Sequence, residues 1–325
     1  MAKIVNTEKK DYSTFMRRYG VILVLIVMCI ILAIVSPVFT KVQNIISVLL
    51  QVAINGILAL GMVFVITAGG IDLSIGSMLA LAGSIVGVML TKYPDASGVI
   101  PLACAIAVVA CVIFGFINGV LVARFNMFPF VVTLSTQLVI RGLAYIVTGG
   151  YSLTIPSKAF RQIGGGKLFS VLPYPILVFA FLAIIAYILM HKTKFGRYVY
   201  AVGGNIHAAI ASGVNVFWTR VYTFVIMGFC AGVAGVILAS RISAGQPNVG
   251  TGYETDAIAA CVIGGTSFAG GIATIPGTVI GILIIGVIYN GMNLLQINTY
   301  WQTIAKGLLI IGAVMLDNVM TKRRK

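Results

Sequence analysis

Apolar stretches long enough to cross a bilayer as helices recur along almost the whole of this chain, and no soluble domain of useful size fits between them. That pattern fixes the solvent. About 17 to 25 apolar residues in a helix match the hydrocarbon thickness. Of the 325 residues, 60% are hydrophobic and 9% charged, far from the roughly 25% charged of soluble domains. The expected fold is all-α, a polytopic membrane protein forming a single membrane domain over 1–325, with a membrane core at 19–317. Spans are predicted at 19–38, 43–67, 74–91, 99–122, 128–148, 173–190, 217–240, 254–268, 272–296 and 299–317. That makes about ten. The eighth is short and broken by glycine, so nine spans and a re-entrant piece is the alternative. A basic start followed by an apolar run to Val35 resembles a signal peptide, but Pro37 falls at the cleavage position, so the segment reads as a retained first span.

The loops set the orientation. Lys3, Lys9, Lys10, Arg17, Arg18, Arg124, Lys192, Lys194, Arg197, Arg220 and the tail 322–325 place fourteen of the twenty-two basic residues on one side. Basic loops stay in the cytoplasm, so both termini, the 191–220 loop and the 318–325 tail are expected there. The 149–172 segment, with Lys158, Arg161 and Lys167 among prolines and glycines, is expected outside as a loop. The net charge of +15 does not point to nucleic acid, because the basic residues sit at span edges rather than on a soluble face with interleaved aromatics. Five cysteines, all inside apolar segments without metal-binding spacing, read as small core residues.

Polar residues in lipid must face protein or water. Asn44, Ser47, Gln51 and Asn55 recur on one face of the second span, and Thr133, Gln137, Arg141 and Tyr145 on one face of the fifth. Weaker stripes are Tyr289, Asn293 and Gln296 in the ninth, and Thr299, Gln302, Thr303 and Lys306 in the tenth. Each stripe is either a hydrated path for a polar solute or interhelical hydrogen-bonding glue. Glycine pairs at small-xxx-small spacing, such as Gly115 with Gly119 and Gly228 with Gly232, predict close helix packing.

The stretch "ITAGGIDLSIGS" at 66–77 interrupts this apolar order. Gly69 and Gly70 are expected to end the second helix, with Asp72 and Ser74 capping the third. An irregular junction at membrane depth is tolerated only against protein or a water-filled cavity, so Asp72 is a candidate gate residue. It also reads as the one acidic residue near the membrane interior. The stretch 65–76 aligns with 261–271, Gly70 over Gly265 and Gly76 over Gly271, a weak sign of an internal repeat. "TGYE" at 251–254 reads as a capping box between Thr251 and Glu254. In the 191–220 loop, Asn205 to Gly213 has an N-cap asparagine, a helical run and a glycine stop. It predicts one two-turn helix, too short to be stable alone and therefore docked on a cytoplasmic partner or lying on the membrane surface.

The chain has no phosphate-binding GxxxxGK[ST] loop, no paired carboxylates and no nucleophile with its base. It is not expected to be an enzyme or to carry a cofactor or metal, and energy is expected from another subunit.

"GMVFVITAGGIDLSIGSMLALAG", "KFGRYVYAVGGNIHAAIASGVNV", "GQPNVGTGYETDAIAACVIGGTSFAGG" and "GTVIGILIIGVIYNGMNLL" resemble the permease subunits of bacterial sugar ABC importers of the ribose, xylose and galactose group. The resemblance implies an inner-membrane subunit paired with a second copy or a paralogue, cytoplasmic ATP-binding subunits and a periplasmic sugar-binding protein. It implies coupling to the ATPase through Asn205, His207, Ala208, Ala209, Ser212 and Gly213. His207 departs from the pattern, because an acidic residue often stands beside the paired alanines. Candidate path or gate residues are Gln51, Asn55, Gly69, Gly70, Asp72, Ser74, Gln137 and Arg141; candidate receptor contacts are Lys158, Arg161, Lys167 and Arg241. The rival readings are a branched-chain amino acid importer and a self-sufficient carrier or channel.

Overall fold

The computed structural model describes residues 5–94, 98–169 and 171–322. The predicted Lys3 and the tail residues Arg323, Arg324 and Lys325 lie outside the described residues. In chain order the elements are α1 (Val5–Val35), α2 (Val42–Thr67), α3 (Ile75–Lys92), α4 (Val99–Arg124), α5 (Pro129–Thr148), β1 (Leu153–Thr154), α6 (Lys158–Gly165), β2 (Lys167–Leu168), β3 (Leu172–Pro173) and α7 (Tyr174–Lys192). They continue with α8 (Lys194–Gly204), α9 (Ile206–Ala211), α10 (Val216–Ile242), β4 (Ala244–Gly245), α11 (Tyr253–Ile263), α12 (Ile275–Leu294) and α13 (Thr299–Lys322).

Among the described residues seven helices, α2, α3, α4, α5, α7, α10 and α12, are long and apolar enough to cross a membrane. Helices α1 and α13 match the first and tenth predicted spans. The eighth is the short one, as the re-entrant alternative expects: α11 has only 11 residues, about 16 Å of helix, roughly half a bilayer. What completes its path is irregular chain, described below.

The core is built around α2 and α10. Helix α2 is buried without a break from Val52 to Thr67, which is possible because almost every residue there is apolar or small. Helix α4 meets α10 where added side chains would collide: Gly115 and Gly119 face Phe224 and Val221, while Gly228 and Gly232 face Cys111 and Val108. The glycine spacing therefore does what the sequence predicts, bringing backbones together.

The polar stripe of the second span is not one open face. Asn44 and Asn290 exchange side-chain hydrogen bonds at 3.0 and 2.8 Å, joining α2 to α12. Ser47 donates to the Gln43 carbonyl of its own helix at 2.8 Å, Gln51 is half-buried and Asn55 is buried. The glue reading holds for Asn44.

Two loops carry more structure than predicted. The 149–172 segment contains α6, capped where the Ser157 hydroxyl accepts from the Phe160 N–H at 3.3 Å, and the β2–β3 hairpin. The 191–220 loop contains α8 as well as the predicted α9. Local polarity masked both short helices.

The supposed repeat is a shared way of stopping a helix. Gly69 (φ 80°) and Gly265 (φ 88°) both adopt left-handed backbone. Their N–H groups bond Ile66 and Val262, and the next residues, Gly70 and Thr266, bond Val65 and Cys261, the 5→2 and 6→1 pattern of a Schellman stop. The structure thus pairs Gly69, not Gly70, with Gly265. The next helix begins at Ile75 in one case and only at Ile275 in the other, so the likeness ends with the stop.

Candidate functional site

Helix α10 serves as a ruler for depth. Its Gly235 lies against the Leu79 carbonyl and its Ala239 against Gly83, so α3 runs parallel to it. One turn earlier, Gly76 is level with Gly232, close to the middle of α10. Helix α3 therefore begins near mid-membrane, and residues 68–74 climb to it as irregular chain.

A second irregular segment descends from the opposite end. Gly245 packs on Gly87 and Gly250 on Gly76. Gly245 also lies against the Gly83 carbonyl, and residues 247–252 run down α3 as a series of turns rather than as helix. Helix α11 starts where that segment stops. The N-termini of α3 and α11 meet within the membrane.

Irregular chain at this depth leaves carbonyls without helix partners, and an unpaired one in hydrocarbon costs several kcal/mol. Two cations from two helices meet the need. Arg141 of α5 donates to the Pro247 and Val249 carbonyls at 2.6 and 2.7 Å. Lys306 of α13 donates to the Gly252 carbonyl at 2.7 Å. The charges are balanced locally. Lys306 pairs with Asp256 at 2.7 Å, which also accepts from the Tyr289 hydroxyl of α12 at 2.7 Å. Glu254 accepts from the Gly252 N–H at 3.1 Å, and its second oxygen lies against Gly76. Both carboxylates stand in the first turn of α11, where the helix end favours negative charge.

This corrects two expectations. Asp72 is not alone among interior carboxylates, because Asp256 is 4% and Glu254 9% exposed. The capping box does not form either: the Thr251 hydroxyl turns to the Asn248 carbonyl at 3.2 Å, and Gly252 is the N-cap. The signal that could have found the pair was the spacing of Glu254 and Asp256 directly after a chain too rich in glycine and proline to be helix.

Asp72 is fully buried. Its Oδ1 accepts from the Ser74 N–H at 2.9 Å and the Ser74 hydroxyl at 2.5 Å, and Asn118 of α4 donates to the Ser74 hydroxyl at 3.0 Å. Thr133 of α5 donates to the Ile71 carbonyl at 3.3 Å. Asp72 and Ser74 therefore organise the start of α3 beneath α4 and α5 rather than lining an open gate. Of the fifth-span stripe, Thr133 and Arg141 fasten α5 to both irregular segments with the half-buried Gln137 between them, whereas Tyr145 is 42% exposed. No hydrogen bond among the described residues joins Gln51 or Asn55 to this cluster.

At the loop end carrying α8 and α9, the end of α2 touches the turn that follows α11. The Gly271 N–H bonds the Thr67 carbonyl at 2.9 Å, and Gly203 of α8 packs so tightly on both groups that a Cβ would overlap them, whereas beside Gly204 the space is open. Adjacent alanine substitutions should therefore differ. Gly203→Ala is expected to cost about 1–3 kcal/mol by overpacking, and Gly204→Ala to change stability by less than about 0.5 kcal/mol, as read by thermal unfolding in detergent.

Helix α9 follows directly. Asn205 caps it, accepting from the Ala208 N–H at 3.0 Å, and Gly213 (φ 77°) ends it. Ala209 is buried, while His207, Ala208, Ser212, Gly213 and above all Ile210, at 57%, are exposed. Ile210 was missed in the sequence because an apolar residue between alanines gives no signal until its face is known. At the opposite end Lys158, Arg161, Lys167 and Arg241 are all exposed. The chain brings three of them together by packing Gly164 of α6 on Arg241 and Ile237 of α10, and none of the four pairs with a carboxylate among the described residues.

Comparison with known proteins gives this architecture a lineage. A family described as "Branched-chain amino acid transport system / permease component" matches residues 44–314. The ribose import permease protein of Bacillus subtilis (strain 168) is 42% identical over 318 residues, covering 96% of this chain and 97% of the relative. The ribose import permease protein of Escherichia coli (strain K12) is 39% identical, covering 91% and 92%. The L-arabinose transport system permease protein of the same strain is 37% identical, covering 95% and 92%. No solved structure matches the chain. A helical membrane protein that aligns from its second helix to its last with this family belongs to it: the chain is a member of the ABC-importer permease family.

Proposed function

We propose that the chain is the membrane subunit of a bacterial ABC importer that passes a monosaccharide, ribose in the first instance, across the inner membrane. The observation that carries this reading is the 42% identity to a ribose import permease across 96% of the chain. Selection falls to a periplasmic sugar-binding protein, for which the exposed cations Lys158, Arg161, Lys167 and Arg241 offer a basic landing surface. Power comes from cytoplasmic ATP-binding subunits seated on α9, and the conduit forms against a second copy or a paralogue. Both termini and the 191–220 loop then lie in the cytoplasm, in agreement with the distribution of basic residues.

The geometry supports a mechanical route. A motor that moves α9 pulls on α8, and Gly203 of α8 is packed on the ends of α2 and the 264–274 turn. Those elements lead to the two helices that begin at mid-membrane, so a displacement at α9 is delivered to the broken region without an intermediate flexible loop. Helices with broken backbone are the usual places for alternating access.

The family description mentions branched-chain amino acids, and one experiment separates the solutes. In proteoliposomes holding the chain with its ATPase and binding protein, uptake of labelled ribose is expected to be blocked by excess unlabelled ribose and untouched by excess leucine. Competition by leucine alone would contradict the sugar assignment.

A further inference from the structure

The irregular segment between β4 and α11 turns its polar side chains away from the protein while its Pro247 and Val249 carbonyls are held inward. Along 245–251 Gly245, Pro247 and Gly250 are buried, Gln246 is half-buried, and Asn248 and Thr251 are exposed. This segment runs inward from the level of Gly87, beyond the end of α10, to that of Gly76, near the middle of α10. An exposed amide and hydroxyl at that depth cannot face lipid without a large free-energy cost; they face water or a ligand. The amide of Asn248 forms no hydrogen bond with any described residue, and Thr251 uses its hydroxyl proton only on the Asn248 carbonyl.

The geometry points to Asn248 and Thr251, flanked by Gln246, as a contact site for an uncharged, polyhydroxylated solute on its way through the membrane. The amide offers two donors and an acceptor, and the threonine oxygen a further acceptor, which matches adjacent hydroxyl groups on a sugar. The charges around the segment are already used: Lys306 on Asp256 and the Gly252 carbonyl, Arg141 on two carbonyls. The clamps also make the site stiff, because Arg141 binds the carbonyls on either side of Asn248 and thereby fixes the direction of its side chain. The inference rests on the transport function proposed above and names where that function touches its solute.

The test uses the assembled transporter in proteoliposomes with labelled ribose. Asn248→Ala is expected to lower uptake about tenfold, the scale of one or two lost hydrogen bonds, while ribose affinity of the binding protein and receptor-stimulated ATP hydrolysis stay within about twofold. Asn248→Cys and Thr251→Cys are expected to react with a hydrophilic, membrane-impermeant thiol reagent above the wild-type background, and ribose with the binding protein is expected to protect them. Wild-type uptake by Asn248→Ala together with unreactive cysteines would overturn the site. Cysteines reactive in the isolated chain but closed in the assembly would also overturn it, assigning the segment to the contact between copies. If the wild-type assembly moves no ribose, the transport reading fails instead, independently of these variants.

Discussion

Lys306→Met is expected to destabilise the folded chain by about 3–5 kcal/mol, the usual cost of stranding one member of a buried ion pair. Asp256 is 4% exposed and would keep its charge at mid-membrane with only the Tyr289 hydroxyl as partner. The Gly252 carbonyl would lose its donor as well. Thermal or SDS-induced unfolding in micelles, followed by circular dichroism, reads the loss. Adding Asp256→Leu to Lys306→Met should recover most of it, because two apolar residues carry no desolvation penalty, leaving only the orphaned carbonyl to account for. A double variant no better than the single would mean that the carbonyl contact, rather than the ion pair, dominates. Either way the damage should centre on α11, since Lys306 is the tie between α13 and the start of that helix.

Ile210→Asp is expected to weaken association of the ATP-binding subunit at least about 30-fold, the loss typical of a central apolar anchor, and to abolish driven uptake while the permease stays folded. The residue is 57% exposed on a six-residue helix that cannot hold itself up without a partner. Co-purification from membranes and a melting profile on the same sample separate lost docking from lost folding. Ala209→Asp is the contrasting change: Ala209 is buried, so a charge there should lower the melting temperature itself. Normal motor binding by Ile210→Asp would move the docking surface elsewhere on the 193–215 loop.

Much of this molecule was legible in its sequence, and the exceptions share a physical origin. Long apolar runs ended by glycines announce their helices, so α2 with its Gly69 stop and α9 between Asn205 and Gly213 were readable residue by residue. Hydropathy is blind to where an interior ends, however. The eighth span read as short, but nothing local says that "GQPNVGTG" runs along α3 as irregular chain, a fact set by Gly76 and Gly87 some 160 residues away. For the same reason Glu254 read only as half of a capping box. The partner of Asp256, Lys306, lies on a helix that only the fold brings near. Arg141 stood out as a charge among apolar residues, but its task, holding the Pro247 and Val249 carbonyls, was not in the stripe that contains it. Asp72 was the reverse case, with its local role at the start of α3 readable and its complete burial under Asn118 and Thr133 not.

The central claim is that this polypeptide is a gated conduit whose fuel and selectivity are supplied by other subunits, and liposome uptake tests it most directly. With the purified chain, its ATP-binding subunit inside the vesicle with ATP, and the binding protein outside, labelled ribose should accumulate. Omitting any one of ATP, motor or binding protein should reduce uptake to the level of empty vesicles. Accumulation by the chain alone under a proton or sodium gradient would contradict the account.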